Sequence, residues 1–261
     1  MSSDVKEAFS KIYKRYDLAN SILSAGRDAT WRRNAVSLLL SADLADSTDS
    51  TNISHDSFQY DSPFTNHESR LYLDLCTGTG KLALEIAQRN ESVEGAEQCV
   101  RLSVVGLDFS EEMLRWGRAS ITNYQSPVTN VLGNAMTLPF SEDLFDGVII
   151  GFGILNIPDV KKALSEMYRV VKSGGRAIIL EFSRPQSLFL LPTYNFYLKN
   201  ILPLIGGFLT GERPSYSYLA QSISEFPIYE EFLQLMEKVR WRELKYYPLT
   251  FGIATVYCGR K

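Results

Sequence analysis

Apolar positions along the chain follow two different spacings, and the change from one to the other marks out its organisation. Val5, Phe9, Ile12 and Tyr13 recur at helical spacing, and Trp31, Ala35, Val36 and Leu39 repeat it after Gly26. Residues 1–40 are therefore predicted as a helical N-terminal cap. Residues 41–70 lose all periodicity and are dominated by Ser, Thr, Asp and Asn, the composition of a flexible, solvated insert. From Leu71 onward, short apolar runs alternate with amphipathic stretches. Residues 71–76, 102–108, 145–151 and 176–182 read as buried strands, with a weaker one at 128–133. Helices are predicted over 81–89 and 110–119, and again from a cap at Asp159 to Val171, closed by a left-handed turn at Gly174-Gly175. A helix near 228–239 and two strands, 241–248 and 251–258, end the chain. Repeated βα units followed by a strand pair predict one doubly wound α/β domain spanning 1–261.

The stretch 186–226 interrupts that alternation. Leu188 to Leu191 precede Phe196, Tyr197, Ile201, Leu202, Leu204 and Ile205, while Pro192, Asn195, Lys199 and Asn200 argue against a bilayer span. Three uses fit such a segment: a lid over a hydrophobic acceptor, an interfacial membrane contact, or a core or dimer face.

Composition narrows the partners. With 261 residues, 45% of them hydrophobic, one domain can bury an adequate core, and a formal net charge of −3 offers no basic face for nucleic acid. Cys76, Cys99 and Cys258 are too scattered for a CxxC pair, and residues 1–20 lack an apolar signal core, which predicts reduced thiols and a cytoplasmic location. Both histidines, His55 and His67, fall in the polar insert, so no metal site is expected.

Chemistry concentrates at Asp74-Leu75-Cys76-Thr77-Gly78-Thr79-Gly80. A buried strand ends, two glycines permit a tight turn, and a helix begins at once, the arrangement that lets a ligand approach the main chain. One βα unit later, Asp108 ends a second strand, where a carboxylate can accept from both hydroxyls of a ribose. These features suit a nucleotide-like ligand, either a nicotinamide dinucleotide or S-adenosylmethionine. The motif D-x-x-x-G-x-G at 74–80 resembles the first motif of class I methyltransferases. Gly133-Asn134-Ala135 with Leu138-Pro139-Phe140 is similar to their adenine-binding turn.

A closer resemblance lies outside these motifs. Tyr16-Asp17-Leu18-Ala19-Asn20, Trp31-Arg32-Arg33, Phe152-Gly153 with Asn156, Leu180-Glu181-Phe182-Ser183, and Tyr216 to Ile223 with Phe226-Pro227 resemble the ubiquinone/menaquinone biosynthesis C-methyltransferases of the UbiE/MenG type. That resemblance implies a Rossmann-like seven-stranded sheet with an antiparallel last strand. It implies S-adenosylmethionine as cofactor and methyl transfer to a ring carbon of a hydrophobic, polyprenylated quinol. It carries cofactor contacts to Thr79, Asp108, Asn134 and Ala135, places Asp74 near the amino-acid part of the cofactor, and leaves Gly78 and Gly80 to form the turn. Asn156 would hydrogen-bond the acceptor, or else serve as a turn asparagine before Pro158. Two residues depart from the family's Ser-Phe-Gly-Leu-Arg-Asn stretch: Gly151 stands for the serine and Leu155 for the arginine. Alternatives consistent with Leu155 are a noncatalytic cofactor-binding subunit of a quinone-biosynthesis complex and a methyltransferase for another hydrophobic small molecule. Peripheral membrane contact and a homodimer are the further partners this resemblance brings into view.

Overall fold

The computed structural model describes residues 21, 24, 26–41, 69–89, 101–121 and 128–261. The helical reading of residues 1–20, residues 42–68 of the predicted insert, both histidines and Cys99 lie outside the described residues; Ser69 and Arg70, read as part of that insert, instead open the first strand. In chain order the described elements are α1 (Arg27–Leu40), β1 (Ser69–Leu75), α2 (Lys81–Gln88), β2 (Arg101–Asp108), α3 (Glu111–Ile121), β3 (Val128–Leu132), β4 (Phe145–Gly151), α4 (Val160–Val170) and β5 (Val171–Phe182). There follow α5 (Leu190–Phe196), a π-helical turn (Tyr197–Ile201), α6 (Leu202–Thr210), α7 (Arg213–Glu225), α8 (Glu230–Lys238), β6 (Arg242–Leu249) and β7 (Ala254–Arg260).

The strands form one sheet of order β3-β2-β1-β4-β5-β7-β6. β1 to β5 run parallel, and β7 inserts antiparallel between β5 and β6. This is the Rossmann-like sheet with an antiparallel last strand that the sequence led us to expect. Period-two alternation sorts the apolar side chains onto both faces. Leu73, Leu75, Val148, Ile150 and Ile179 pack under α4 and α8, whereas Tyr72, Ile149, Ile178 and Leu180 pack under α1 and α2. Because both faces are covered, the central strands read as continuous apolar runs rather than alternating ones.

Several boundaries differ from the sequence reading: the last strand starts at Ala254, after a 3-10 turn over Thr250–Gly252, and β5 starts at Val171. α4 ends at Val170, and Gly174-Gly175 does not cap it. Its last carbonyls are met by the N–H groups of Asp143 and Leu144, donating to Arg169 O at 3.1 Å and Val170 O at 2.8 Å. Val171 is already extended and pairs with Phe145, so the β-branched pair 170–171 carries the switch from helix to strand. Gly174, at φ 79°, instead bends β5 so that its N–H donates to Lys261 O at 2.9 Å.

The segment after β5 is a helical pair. Tyr194, Leu198 and Leu202 from one arm meet Tyr216, Ala220 and Ile223 of α7 in a small core of their own. Gly206 permits the approach, since a Cβ there would sit 2.3 Å from the Tyr216 ring. The π-helical turn precedes Pro203, whose ring would clash with the carbonyl of residue 199 in a regular helix, and the wider turn relieves that clash. No helix among the described residues is long and apolar enough to cross a membrane.

Candidate functional site

β1, β2 and β4 end beside one cleft at the point where the strand order reverses, the usual ligand position in an open α/β sheet. Its walls are built by the turn after β1, the tip of β2, the first turn of α3, the loop after β4 and, from above, α1.

The turn after β1 explains the spacing of its motif. Gly78 (φ 57°) and Gly80 (φ 81°) both occupy left-handed backbone that a side chain would strain. Gly80 is the N-cap of α2 and has no side chain to satisfy the helix's first donors. Asp74 performs that task from within β1: its Oδ2 accepts from Ala83 N at 3.0 Å and from Thr77 Oγ1 at 2.5 Å. The other oxygen, Oδ1, is buried without a partner. Burial pushes the Asp74 carboxyl up to about 7, against the lowering effect of the Thr77 and Ala83 hydrogen bonds.

At the β2 tip, the Asp108 carboxylate accepts from Gly78 N at 2.8 Å through Oδ2 and from Ser110 N at 2.9 Å through Oδ1. The acid thus fixes the glycine turn while its remaining lone pairs face the cleft. Burial raises its pKa in spite of those N–H donors. Ser110 Oγ accepts from Met113 N at 3.3 Å, starting α3, and Met113 lines the cleft.

The loop after β4 supplies the opposite wall. Phe152 has φ 56° and Cys76, across from it, also has φ 56°; neither is glycine, so both hold strained backbone beside the same cavity. Gly153 allows the two loops to touch, because a Cβ there would come 2.7 Å from Cys76 Cβ. Phe152 packs on Phe182 at 4.6 Å and on Trp31 at 6.2 Å between ring centroids, which anchors α1 over the cleft. Burial, joined by the nearby acids Asp108, Asp74 and Glu181, holds the Cys76 thiol well above its ordinary range, so it is not a thiolate nucleophile.

Of the residues singled out from the sequence, Asp74, Gly78, Thr79, Asp108 and Asn156 line this one cleft, and Gly80 starts the helix behind it. Asn134 and Ala135 do not line it. They sit in the turn after β3, attached to its β2 side where Gly133 N donates to Asp108 O at 2.8 Å, and Asn134 Oδ1 accepts from Met136 N. Asn156 ends a short 3-10 turn, where its N–H donates to Gly153 O at 3.2 Å; it is buried, and its side-chain amide has no hydrogen-bond partner among the described residues. Leu155 does not line the cleft. It packs between the main core and the core of the helical pair, and its N–H donates to Glu181 Oε2 at 3.3 Å. Glu181 is fully buried and pushed up to about 8 by that burial. Gly151 faces Leu82, whose Cδ1 would lie 2.6 Å from an added Cβ, so Leu82 fills the space a side chain at 151 would need.

Several residues in or behind the cleft walls carry no signature in the sequence. Gly117 in α3 lies against Thr79, where a Cβ would meet the carbonyl oxygen at 2.6 Å. Asp28 and Arg32 reach the cleft from α1. A lone helical glycine and an acid–arginine pair carry no local signal of proximity to a distant turn.

The ubiE/COQ5 methyltransferase family profile matches residues 1–261. The "Ubiquinone/menaquinone biosynthesis C-methyltransferase UbiE" of Geobacter sulfurreducens is 39% identical over 98% of this chain and 88% of its own length. The "Demethylmenaquinone methyltransferase" of Porphyromonas gingivalis is 34% identical over 100% of this chain and 94% of its own length. Among solved structures, a SAM-dependent methyltransferase from Thermotoga maritima aligns with a TM-score of 0.58 at 19% identity, over 98% of this chain and 99% of that one. The cleft fits S-adenosylmethionine on its own chemistry: three buried acids, one of them with an orphaned oxygen, surround a space that would receive a sulfonium, an ammonium and a ribose diol. The full-length match and this cleft together make the chain a member of the ubiE/COQ5 methyltransferase family, an enzyme that uses S-adenosylmethionine.

Proposed function

We propose that this enzyme methylates a ring carbon of a polyprenylated quinol in ubiquinone/menaquinone biosynthesis. The observation that carries this reading is Asn156, a buried residue in the same cleft as the glycine turn and Asp108, whose side-chain amide has no hydrogen-bond partner among the described residues. The names of the relatives support the acceptor class.

In this reading Asp108 accepts from the ribose hydroxyls, Asp74 Oδ1 accepts from the amino group of the methionyl part, and the backbone of Gly78, Thr79 and Gly80 forms the floor. Asn134 and Ala135 stand at the adenine end. When bound, S-adenosylmethionine supplies an electrophilic sulfonium methyl. Asn156 then holds an acceptor hydroxyl, which orients the electron-rich ring carbon, while Phe152, Trp31 and Phe182 keep water from that end. The ring carbon would take the methyl group as the carbon–sulfur bond breaks, leaving the neutral thioether S-adenosylhomocysteine, and the ring would release its proton on regaining aromaticity.

The outer face of the helical pair extends this proposal to a membrane surface. Phe189, Phe208 and Leu188 are 92%, 88% and 82% exposed. Such a face suits peripheral contact of a cytoplasmic enzyme with the bilayer that holds a polyprenyl tail.

Incubation of the protein with labelled S-adenosylmethionine and a demethylated short-tail quinol tests the function. Label is expected in the quinol. Cofactor binding without turnover on any quinol would point to a noncatalytic subunit, and turnover only on other phenols or lipids to a redirected enzyme.

A further inference from the structure

α1 brings a charged pair to the cleft that the proposed function leaves without a task. Arg32 Nη2 donates to Asp28 Oδ2 at 2.7 Å, and both side chains line the cavity. Asp28 is 3% exposed, and its Oδ1 accepts from Ser21 Oγ at 3.2 Å and Ser24 Oγ at 3.1 Å. Burial, the largest influence on its carboxyl, pushes upward, but the Arg32 charge and the hydrogen bonds from Arg32, Ser24 and Ser21 together hold it below the ordinary range. Asp28 is therefore a fixed anion at neutral pH. Trp31, the residue before Arg32, is held by its Nε1–H to Thr250 Oγ1 at 2.8 Å and by Phe152 and Phe182, which fixes the position of α1 beside the cleft.

Arg32 keeps unused capacity. Its side chain is 15% exposed, and Nε and Nη1 have no partner among the described residues. A guanidinium held on one edge by a buried carboxylate, with other donors turned to a cavity, is built to receive a second planar anion. Position decides which anion. α1 packs on β4 and β5, on one side of β1, whereas Asp108 ends β2 on the other. A cofactor with its ribose at Asp108 therefore extends its methionyl end past Asp74 toward α1.

We propose that Arg32, oriented by Asp28, binds the α-carboxylate of the methionyl group of S-adenosylmethionine. This rests on the reading that the cleft binds that cofactor with its ribose at Asp108. Asp28 is then a positioning residue, acting through Arg32. The two charges of the amino-acid moiety meet opposite charges on two different elements, its ammonium at β1 and its carboxylate at α1.

Calorimetry on the full chain with three probes tests the assignment: S-adenosylmethionine, its decarboxylated analogue, which keeps the sulfonium and the amine, and 5′-methylthioadenosine, which lacks the whole amino-acid part. The native protein is expected to prefer S-adenosylmethionine over the decarboxylated analogue by about 10- to 100-fold, the range of a charge-assisted, bidentate contact. Arg32→Gln should remove that preference by weakening S-adenosylmethionine alone. Its affinity for methylthioadenosine should stay within about twofold, which also certifies a folded site, and Arg32→Lys should recover part of the preference. Asp28→Asn should lower it less than Arg32→Gln does. A native protein that binds S-adenosylmethionine and its decarboxylated analogue equally overturns the assignment without any variant. So does an Arg32→Gln protein that weakens all three probes alike, or one that binds all three normally yet loses turnover, which would move Arg32 to the acceptor. A native protein that binds methylthioadenosine but not S-adenosylmethionine also overturns it, and one that binds none of the three removes the cofactor reading beneath it.

Discussion

The cofactor cleft and the helical pair at 190–225 are both closed by a glycine that lets two elements touch, yet they use that contact for opposite ends. At the cleft, Gly117 brings α3 against Thr79 O in a wall crowded with buried acids. In the helical pair, Gly206 brings one apolar arm against the Tyr216 ring, with large apolar side chains left on the outside. The cleft is held by directional hydrogen bonds and tolerates little movement. The pair is held by nondirectional packing, so its outer face is open to other duties.

Breaking the cleft should cost binding. Asp108→Ala removes the anchor of the Gly78 N–H along with the ribose acceptor, and is expected to weaken S-adenosylmethionine at least about 100-fold, roughly 2.7 kcal/mol. Calorimetry showing less than a threefold change would place the ribose elsewhere. The two glycines give the crossed test. Gly206→Ala should destabilise the protein by about 1–3 kcal/mol in urea melts, as overpacking does, and leave cofactor affinity unchanged. Gly117→Ala should lower cofactor affinity by about tenfold, about 1.4 kcal/mol, by displacing Thr79. If both variants moved both quantities alike, the two regions would not be independent.

A smaller effect follows from the acids. Asp74 sits at about 7 and Glu181 at about 8, both raised by burial. Each is protonated in the folded protein over a range where the unfolded chain has already released the proton, so the folded state binds more protons and stability falls as pH rises. The loss begins above the ordinary carboxylate range and is complete once pH has passed the folded values. Melts of the cofactor-free protein should show declining stability from pH 5 to 8.5, and Glu181→Gln should flatten the upper part of that slope. An unchanged slope would mean that Glu181 is not the group responsible.

The smallest effect sharpens the other side of the comparison. Replacing Phe189 and Phe208 together by serine should change stability by no more than about 0.5 kcal/mol, since neither is packed. The double variant should still lose flotation with anionic vesicles relative to the native protein. Equal flotation, or none by the native protein, would leave that face without a membrane role.

The same contrast explains what could be read from the chain. Asp74, Gly78, Gly80 and Asp108 announce themselves because each is dictated by local backbone: a strand end, a left-handed turn, a helix lacking a side-chain cap. Phe152 and Cys76 adopt similar left-handed backbone without glycine, so composition conceals them. Asp28 and Arg32 are not recognisable from the sequence as cleft residues, since their distance from β1 is set by the packing of α1 on the sheet. In 186–226, both faces of the helices are apolar, and nothing in the spacing separates Leu198 and Leu202, which are buried, from Leu204 and Phe208, which are not. The end of α4 was misread because neighbouring N–H groups from residues 143 and 144 did the work assigned to a glycine.

The indole of Trp31 reaches Thr250 across 219 residues of sequence. One wall of the cleft therefore lacks its last tie until the turn before β7 exists. A chain emerging from the ribosome has made the glycine turn and both strand-tip acids long before it can clamp α1 above them. Competence to grip the methyl donor should come late in synthesis, close to the last strand, and truncation just short of residue 250 should yield a sheet with an unfastened roof.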